Sequence, residues 1–124
     1  MESFRTVDGR VLEYLEVGDP GGRPMAFLHG TPGTAGTAVI FDDAARHHNV
    51  RLFALTRPGY GVTSMTAPGL VSVGLDLAEL ATALGIGEFD VLGVSGGVPF
   101  ALAAGSTLGT RVRRVAVAAG PAPH

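Results

Sequence analysis

The chain has 124 residues, of which 46% are hydrophobic and 16% charged, and its formal net charge is -2. This composition predicts one folded domain and excludes a disordered tail or an acidic linker. Acidic residues outnumber basic ones by 11 to 9, so the footprint of a nucleic-acid-binding protein is absent. The sequence has no apolar run of membrane-spanning length, no visible secretory leader and no cysteine. We therefore expect a cytoplasmic protein without membrane or nucleic-acid partners.

The first half of the chain predicts three strands and one helix. Partial alternation over residues 10–17 predicts a strand exposed on one face, which the turn cluster at 18–22 ends. Short apolar runs at 24–28 and 50–55 predict two buried strands. Between them, apolar positions spaced over 36–48 predict a short helix.

The second half continues the alternation of helices and strands. Helical spacing of apolar residues predicts a helix over 72–84, and the apolar run 89–94 predicts a third buried strand. A helix is expected over 96–106, where Pro99 is tolerated because it lies in the first turn. A last strand is expected over 111–118. Strands that alternate with helices predict an α/β fold with a mostly parallel sheet and helices on both faces.

The junction between the third buried strand and its helix carries the pattern G-x-S-x-G, as Gly93-Val94-Ser95-Gly96-Gly97. A nucleophile on so tight a turn requires glycines around it, because side chains there would collide with the neighbouring strand or helix. The helix that follows directs amide groups and its positive dipole end at the same place. Two alternatives remain at this point: a serine that only caps the helix, and a dinucleotide-binding loop, although G-x-G-x-x-G is absent here.

Two further segments each follow a predicted strand, namely His29-Gly30-Thr31-Pro32-Gly33 and Arg57-Pro58-Gly59-Tyr60-Gly61. Together with the motif around Ser95, they resemble the α/β-hydrolase superfamily in its His-Gly-x-Pro-Gly branch with a serine nucleophile. The resemblance extends from about residue 10 to the end of the chain. Three such motifs in order indicate the superfamily and say little about the substrate.

The resemblance implies roles for single residues. Ser95 corresponds to the nucleophile, and the backbone N–H groups of Thr31 and Gly96 correspond to the two oxyanion-hole donors. His29 is similar to a structural histidine beside the oxyanion loop, and Thr56 stands where the family often has Asp. The implied substrate is a small molecule with an ester, amide or related acyl bond, and no cofactor or metal is implied. Serine rather than Asp at position 95 argues against epoxide hydrolases and haloalkane dehalogenases.

The remainder of the catalytic triad has no evident source in this sequence. In this fold the order along the chain is Ser, then Asp or Glu, then His. No acidic residue follows Asp90, and the one histidine after Ser95 is His124. We therefore expect residues 1–124 to be the amino-terminal portion of a single α/β-hydrolase core domain, ending near the sixth strand, without lid or carboxy-terminal portion. Alone, it should be nearly inactive.

Three alternatives stay open. A metal site is conceivable where His47 and His48 lie beside Asp42 and Asp43, although a solvated helix end explains these residues as well. The chain could also be a truncated, non-catalytic relic or a binding module of the same fold. Finally, an uncovered last strand would be an apolar sheet edge, available to a complementing chain or to self-association.

Overall fold

A computed structural model describes residues 1–61, 63 and 69–120. Within these residues the chain forms six strands and three α-helices: β1 (Glu2–Arg5), β2 (Val11–Gly18), β3 (Arg23–Leu28), α1 (Asp42–His47), β4 (Val50–Leu55), α2 (Leu70–Ala83), β5 (Phe89–Val94), α3 (Val98–Thr107) and β6 (Val112–Ala118). Short 3₁₀ helices lie at Ala35–Phe41, Ser95–Gly97 and Gly109–Arg111.

The six strands form one open sheet in the order β1-β2-β4-β3-β5-β6. β1 pairs with β2 and β2 with β4 in antiparallel fashion, whereas the pairs β3–β4, β3–β5 and β5–β6 are parallel. Leu28 at the end of β3 is aligned with Leu55 of β4 and with Gly93 of β5. The loops that follow these three strands therefore leave the sheet at the same edge.

Alternate residues of the central strands face two separate apolar clusters. The cluster on one face joins the sheet to α2 and α3 and includes Ala26, Leu28, Phe53, Leu55, Val73, Leu77, Leu80 and Ala101. The cluster on the other face joins it to α1 and the preceding 3₁₀ helix and includes Phe27, Ala35, Ala38, Ala45, Leu52 and Ala54. The predicted mostly parallel α/β sheet with helices on both faces is thus confirmed.

Several boundaries differ from the sequence-based expectations. The predicted helix over 36–48 is a 3₁₀ helix followed by the short α1. The hydroxyl of Thr34 caps the 3₁₀ helix by accepting a hydrogen bond from Gly36 N (3.1 Å). The predicted helix over 72–84 begins two residues earlier, at Leu70, after the extended Gly69. β1 was not expected, because it is short and mostly exposed and forms through its pairing with β2.

β6 borders the sheet. It pairs with β5, and among the described residues no strand pairs with its other side. Most of its side chains are exposed, and Val117 retains 49% of its accessible surface. In the described part of the chain, no helix has both the length and the apolar character needed to cross a membrane.

Candidate active site

Ser95 lies in a sharp turn between β5 and α3. Its φ angle of 51° is in the left-handed region that non-glycine residues rarely adopt, and its side chain is exposed. The flanking glycines are sterically required. A Cβ added at Gly93 would lie 2.6 Å from the Cβ of Ala101, and one at Gly97 would lie 2.2 Å from the carbonyl oxygen of Leu28. The turn therefore holds the serine hydroxyl clear of the sheet.

The loop after β3 packs directly against this turn. A Cβ built on Gly30 would lie 3.3 Å from Ser95 Cβ and 3.7 Å from Ser95 Oγ. A Cβ built on Gly96 would lie 2.3 Å from Thr31 Oγ1 and 3.1 Å from Thr31 N. The structure thus brings together the three residues singled out from the sequence, Ser95, Thr31 and Gly96.

His29 is fully buried beneath the same loop, and both of its ring nitrogens are engaged. Nε2 accepts a hydrogen bond from the backbone N–H of Arg57 (3.0 Å), so Nδ1 carries the proton of the neutral ring and donates it to Gly30 O (2.7 Å). The ring also packs edge-on against Tyr60, with 5.4 Å between centroids. Burial lowers the pKa of His29 below its usual value. The imidazole therefore fixes the loop and has no free nitrogen to act on Ser95.

Arg57 is a residue of this site whose contacts the sequence did not reveal. It is only 5% exposed, and its Nη2 donates hydrogen bonds to His29 O (3.1 Å) and Thr31 Oγ1 (2.8 Å). The guanidinium carbon lies 4.5 Å from the ring centroid of Phe100 and 5.3 Å from that of Tyr60. Its buried Nε has no hydrogen-bond partner, and burial lowers the pKa of the group. In the sequence, Arg57 stood out only as the first residue of the segment Arg57-Pro58-Gly59-Tyr60-Gly61, which carried no information about its contacts.

Thr56, where the family often has Asp, connects β4 to β2 and to the loop that leads away from the site. Its Oγ1 accepts a hydrogen bond from Ala35 N (2.8 Å) and donates one to Oε2 of the buried Glu13 (2.7 Å). The backbone N–H of Glu13 in turn donates to Thr63 Oγ1 (2.9 Å). An aspartate at position 56 would face the Glu13 carboxylate, which gives a physical reason for threonine here.

The other candidate residues lie elsewhere. His47 and His48 are at the end of α1, which leads into the start of β4 at the opposite edge of the sheet, and their rings pack edge-on at 5.2 Å. The Asp42 carboxylate pairs with Arg46 (3.1 Å). Within residues 1–61, 63 and 69–120, no group of three or more His, Asp or Glu could hold a metal ion. His124 lies outside the described residues.

No protein-family model matches the chain. A proline iminopeptidase from Xylella fastidiosa (strain 9a5c) is 33% identical over 106 residues, which cover 81% of this chain and 33% of that protein. The chain thus spans about a third of the length of the curated relative that it matches.

Solved structures give the same architecture. An alpha/beta hydrolase from Sphaerobacter thermophilus DSM 20745 matches with a TM-score of 0.72 at 27% identity, covering 94% of this chain and 44% of that one. An esterase from Exiguobacterium antarcticum matches with a TM-score of 0.79 at 23% identity, covering 98% of this chain and 46% of that one. An epoxide hydrolase from an endophytic Streptomyces matches with a TM-score of 0.83 at 21% identity, covering 94% of this chain and 35% of that one. The sheet order and these likenesses agree: the chain has the fold of the α/β hydrolases.

Proposed function

We propose that the protein is a serine hydrolase that cleaves an ester, amide or related acyl bond of a small molecule, with Ser95 as its nucleophile. The observation that carries the proposal is the left-handed backbone of Ser95 at the end of β5, with an exposed side chain beside Gly30. Strain of this kind persists only where the surrounding structure enforces it, and it is concentrated at functional sites. The name of the peptidase match supports acyl chemistry. The esterase and epoxide hydrolase matches, both under 25% identical, support the fold alone.

In the proposed reaction, Ser95 Oγ attacks the acyl carbon and its proton passes to a general base. The carbonyl π electrons move to oxygen, and the N–H groups of Thr31 and Gly96 donate hydrogen bonds to that oxyanion. The electron pair then returns, the bond to the leaving group breaks, and the leaving group takes the proton, which leaves the acyl group bonded to Ser95 Oγ. A water molecule then gives a proton to the same base and attacks the acyl carbon. The second oxyanion collapses, the bond to Ser95 Oγ breaks, the oxygen takes back the proton, and the carboxylic acid leaves. Each well-aimed donor contributes about 3 kcal/mol to the transition state. Contact between residues 31 and 96 supports a shared pocket for the two donors.

The base and the acid are proposed to come from residues outside this chain, on a longer product of the same gene or on a complementing chain. His29, the buried histidine nearest in sequence to the oxyanion loop, uses both nitrogens in its own hydrogen bonds. We propose that residues 1–124 form the amino-terminal portion of one hydrolase core domain. Loss of triad members lowers rates by about 10⁴–10⁶-fold, so this chain by itself should be nearly inactive.

The test is labelling with a fluorophosphonate probe, applied to the product of the complete reading frame and to residues 1–124. We expect the complete product to be labelled at Ser95 and S95A to remain unlabelled, because the probe reports an activated hydroxyl. Absence of labelling in a folded complete product would favour the alternative, a non-catalytic relic or binding module of the same fold.

A second arm tests the oxyanion pocket with the variant G96A. The new Cβ would displace Thr31, whose Oγ1 and Cβ lie 2.3 Å and 2.9 Å from its position. We expect the labelling rate to fall by about 10²-fold, the usual effect of losing one oxyanion donor. G87A is the matched control, since a Cβ there meets nothing within 4 Å. Equal labelling rates of G96A and G87A would contradict the proposed role of Gly96 and Thr31 as oxyanion donors.

A further inference from the structure

Arg57 is a buried cation without a carboxylate partner in the described part of the chain. No Asp or Glu oxygen there lies within 4.0 Å of its guanidinium, and the undescribed residues 62, 64–68 and 121–124 contain no Asp or Glu. Glu13, the buried carboxylate at the same edge of the sheet, is bonded to Thr56. The positive charge of Arg57 is therefore uncompensated by any side-chain carboxylate described here.

This arrangement differs from that of Arg10, which binds both carboxylate oxygens of the buried Asp76 at 2.9 Å and 2.7 Å. An unpaired buried charge is costly, because the protein interior replaces its hydration poorly. Around the Arg57 guanidinium, the place of water is taken by two backbone carbonyls, one hydroxyl and the faces of two aromatic rings. Contacts of this kind leave the charge available to a negative group that forms nearby.

The three oxygen atoms that Arg57 contacts all belong to the proposed oxyanion loop. Its Nη2 reaches His29 O (3.1 Å), Gly30 O (3.4 Å) and Thr31 Oγ1 (2.8 Å), while Gly30 packs on Ser95. The aromatic rings of Tyr60 and Phe100 limit its movement. One cation thus contacts the carbonyl oxygen of the peptide whose N–H belongs to Thr31, the carbonyl oxygen of the peptide before it, and the Thr31 side chain.

We propose that Arg57 is a positioning residue for the oxyanion hole: it fixes the loop 29–31 against Ser95, and its uncompensated charge lies behind that loop and favours the negative oxygen. This inference rests on the proposed function, because it assigns a role within the same site. It predicts that Arg57 stabilises the transition state of the labelling reaction, whereas it does not contribute to binding of the uncharged probe.

The experiment measures the maximal labelling rate and the half-saturating concentration of the fluorophosphonate separately, for the complete protein and its R57M and R57K variants. We expect the maximal rate of R57M to fall by about 10²-fold, the size of one lost oxyanion contact, with the half-saturating concentration within about twofold of wild type. R57K keeps the charge but loses the fork of donors, so its rate should be intermediate. R46M is the control, since Arg46 is an exposed arginine of α1 that has its own carboxylate, Asp42, at the opposite edge of the sheet.

A milder pair of variants keeps the proposal testable if R57M does not fold. T31V removes the hydroxyl that Arg57 contacts and retains the Thr31 N–H, whereas T31S retains both; residue 31 is exposed, so both should fold. We expect about a tenfold lower maximal rate for T31V and a wild-type rate for T31S. A wild-type rate in a folded R57M, or in T31V where R57M does not fold, with S95A unlabelled, would overturn this inference and leave the proposed function standing. Absence of labelling in the wild type would overturn both.

Discussion

The hydroxyl of Thr56 donates a 2.7 Å hydrogen bond to the carboxylate of Glu13, and both side chains are buried. The same oxygen accepts from the backbone N–H of Ala35, the first residue of the 3₁₀ helix after the oxyanion loop. One small side chain therefore ties β4, β2 and the exit of that loop together. Because a hydroxyl can donate and accept at once, it satisfies a buried acid and a buried amide together.

The first prediction is that T56V lowers the free energy of unfolding by about 3 kcal/mol. Valine has nearly the shape of threonine, but it leaves the Glu13 carboxylate and the Ala35 N–H without a partner, and unsatisfied buried groups cost about this much. T56S, which keeps the hydroxyl, is the control and should lose less. Urea unfolding of the two variants measures the difference. Equal stability of T56V and wild type would show that this hydrogen bond makes no net contribution.

The second prediction concerns Gly97, the last glycine of the motif around Ser95. A Cβ there would lie 2.2 Å from Leu28 O and 2.8 Å from His29 O, both backbone atoms of the sheet edge. Since neither oxygen can move without distorting β3, G97A should lower the free energy of unfolding by about 1–3 kcal/mol. G87A, whose Cβ has open space, serves as the reference in the same urea titration. If G97A and G87A unfold at the same urea concentration, a methyl group at residue 97 fits beside β3 without destabilising the fold.

The sequence predicted the parallel core of the fold because its signals are local and strong. β3, β4 and β5 are short apolar runs that end in glycine-containing loops, and each strand lies within one or two residues of its expected range. β1 was missed because an exposed strand of four residues carries no periodic pattern, and its pairing with β2 decides its structure. The helix over 36–48 was expected as one element because spacing alone does not separate a 3₁₀ turn from an α-helix.

For the candidate site, the residues that lie in motifs could be predicted from the sequence, whereas the contacts of Arg57 could not. The motif pattern identified Ser95, Thr31 and Gly96, whose mutual contact follows from the alignment of strand ends. The role of Arg57 was not predictable, because its burial depends on aromatic rings that come from two different segments, at Tyr60 and Phe100. That no carboxylate of residues 1–61, 63 and 69–120 pairs with it is likewise a property of the packed structure.

The third prediction is a loss of stability in mild acid caused by His29. Burial lowers the pKa of its imidazole below the ordinary 6.5, so the unfolded chain binds a proton more readily than the folded one. The contribution of neutral His29 is complete above about pH 6.5 and is lost as pH falls from there through the lower folded pKa. H29N, which can keep polar contacts without titrating, should be less stable at pH 7 but should show a smaller loss on acidification.

Urea unfolding at several pH values between 7 and 4.5 measures this effect. H47Q is the control, because it removes an exposed histidine at the end of α1, which lies at the opposite edge of the sheet from His29. If the stability of H29N falls with pH as steeply as that of the wild type, groups other than His29 cause the loss of stability in acid.

The fourth prediction is that residues 1–124, expressed alone, self-associate through β6. This strand pairs only with β5 among the described residues, so its outer N–H and C=O groups are a template for another strand. V117K places a charge on that edge and should shift the protein towards monomer, as measured by size-exclusion chromatography with light scattering. L102K is the matched control, because Leu102 on α3 is exposed to a similar extent, 54% against 49%. If L102K dissociates the assembly and V117K does not, association runs through the α3 surface, and the sheet edge is not the interface.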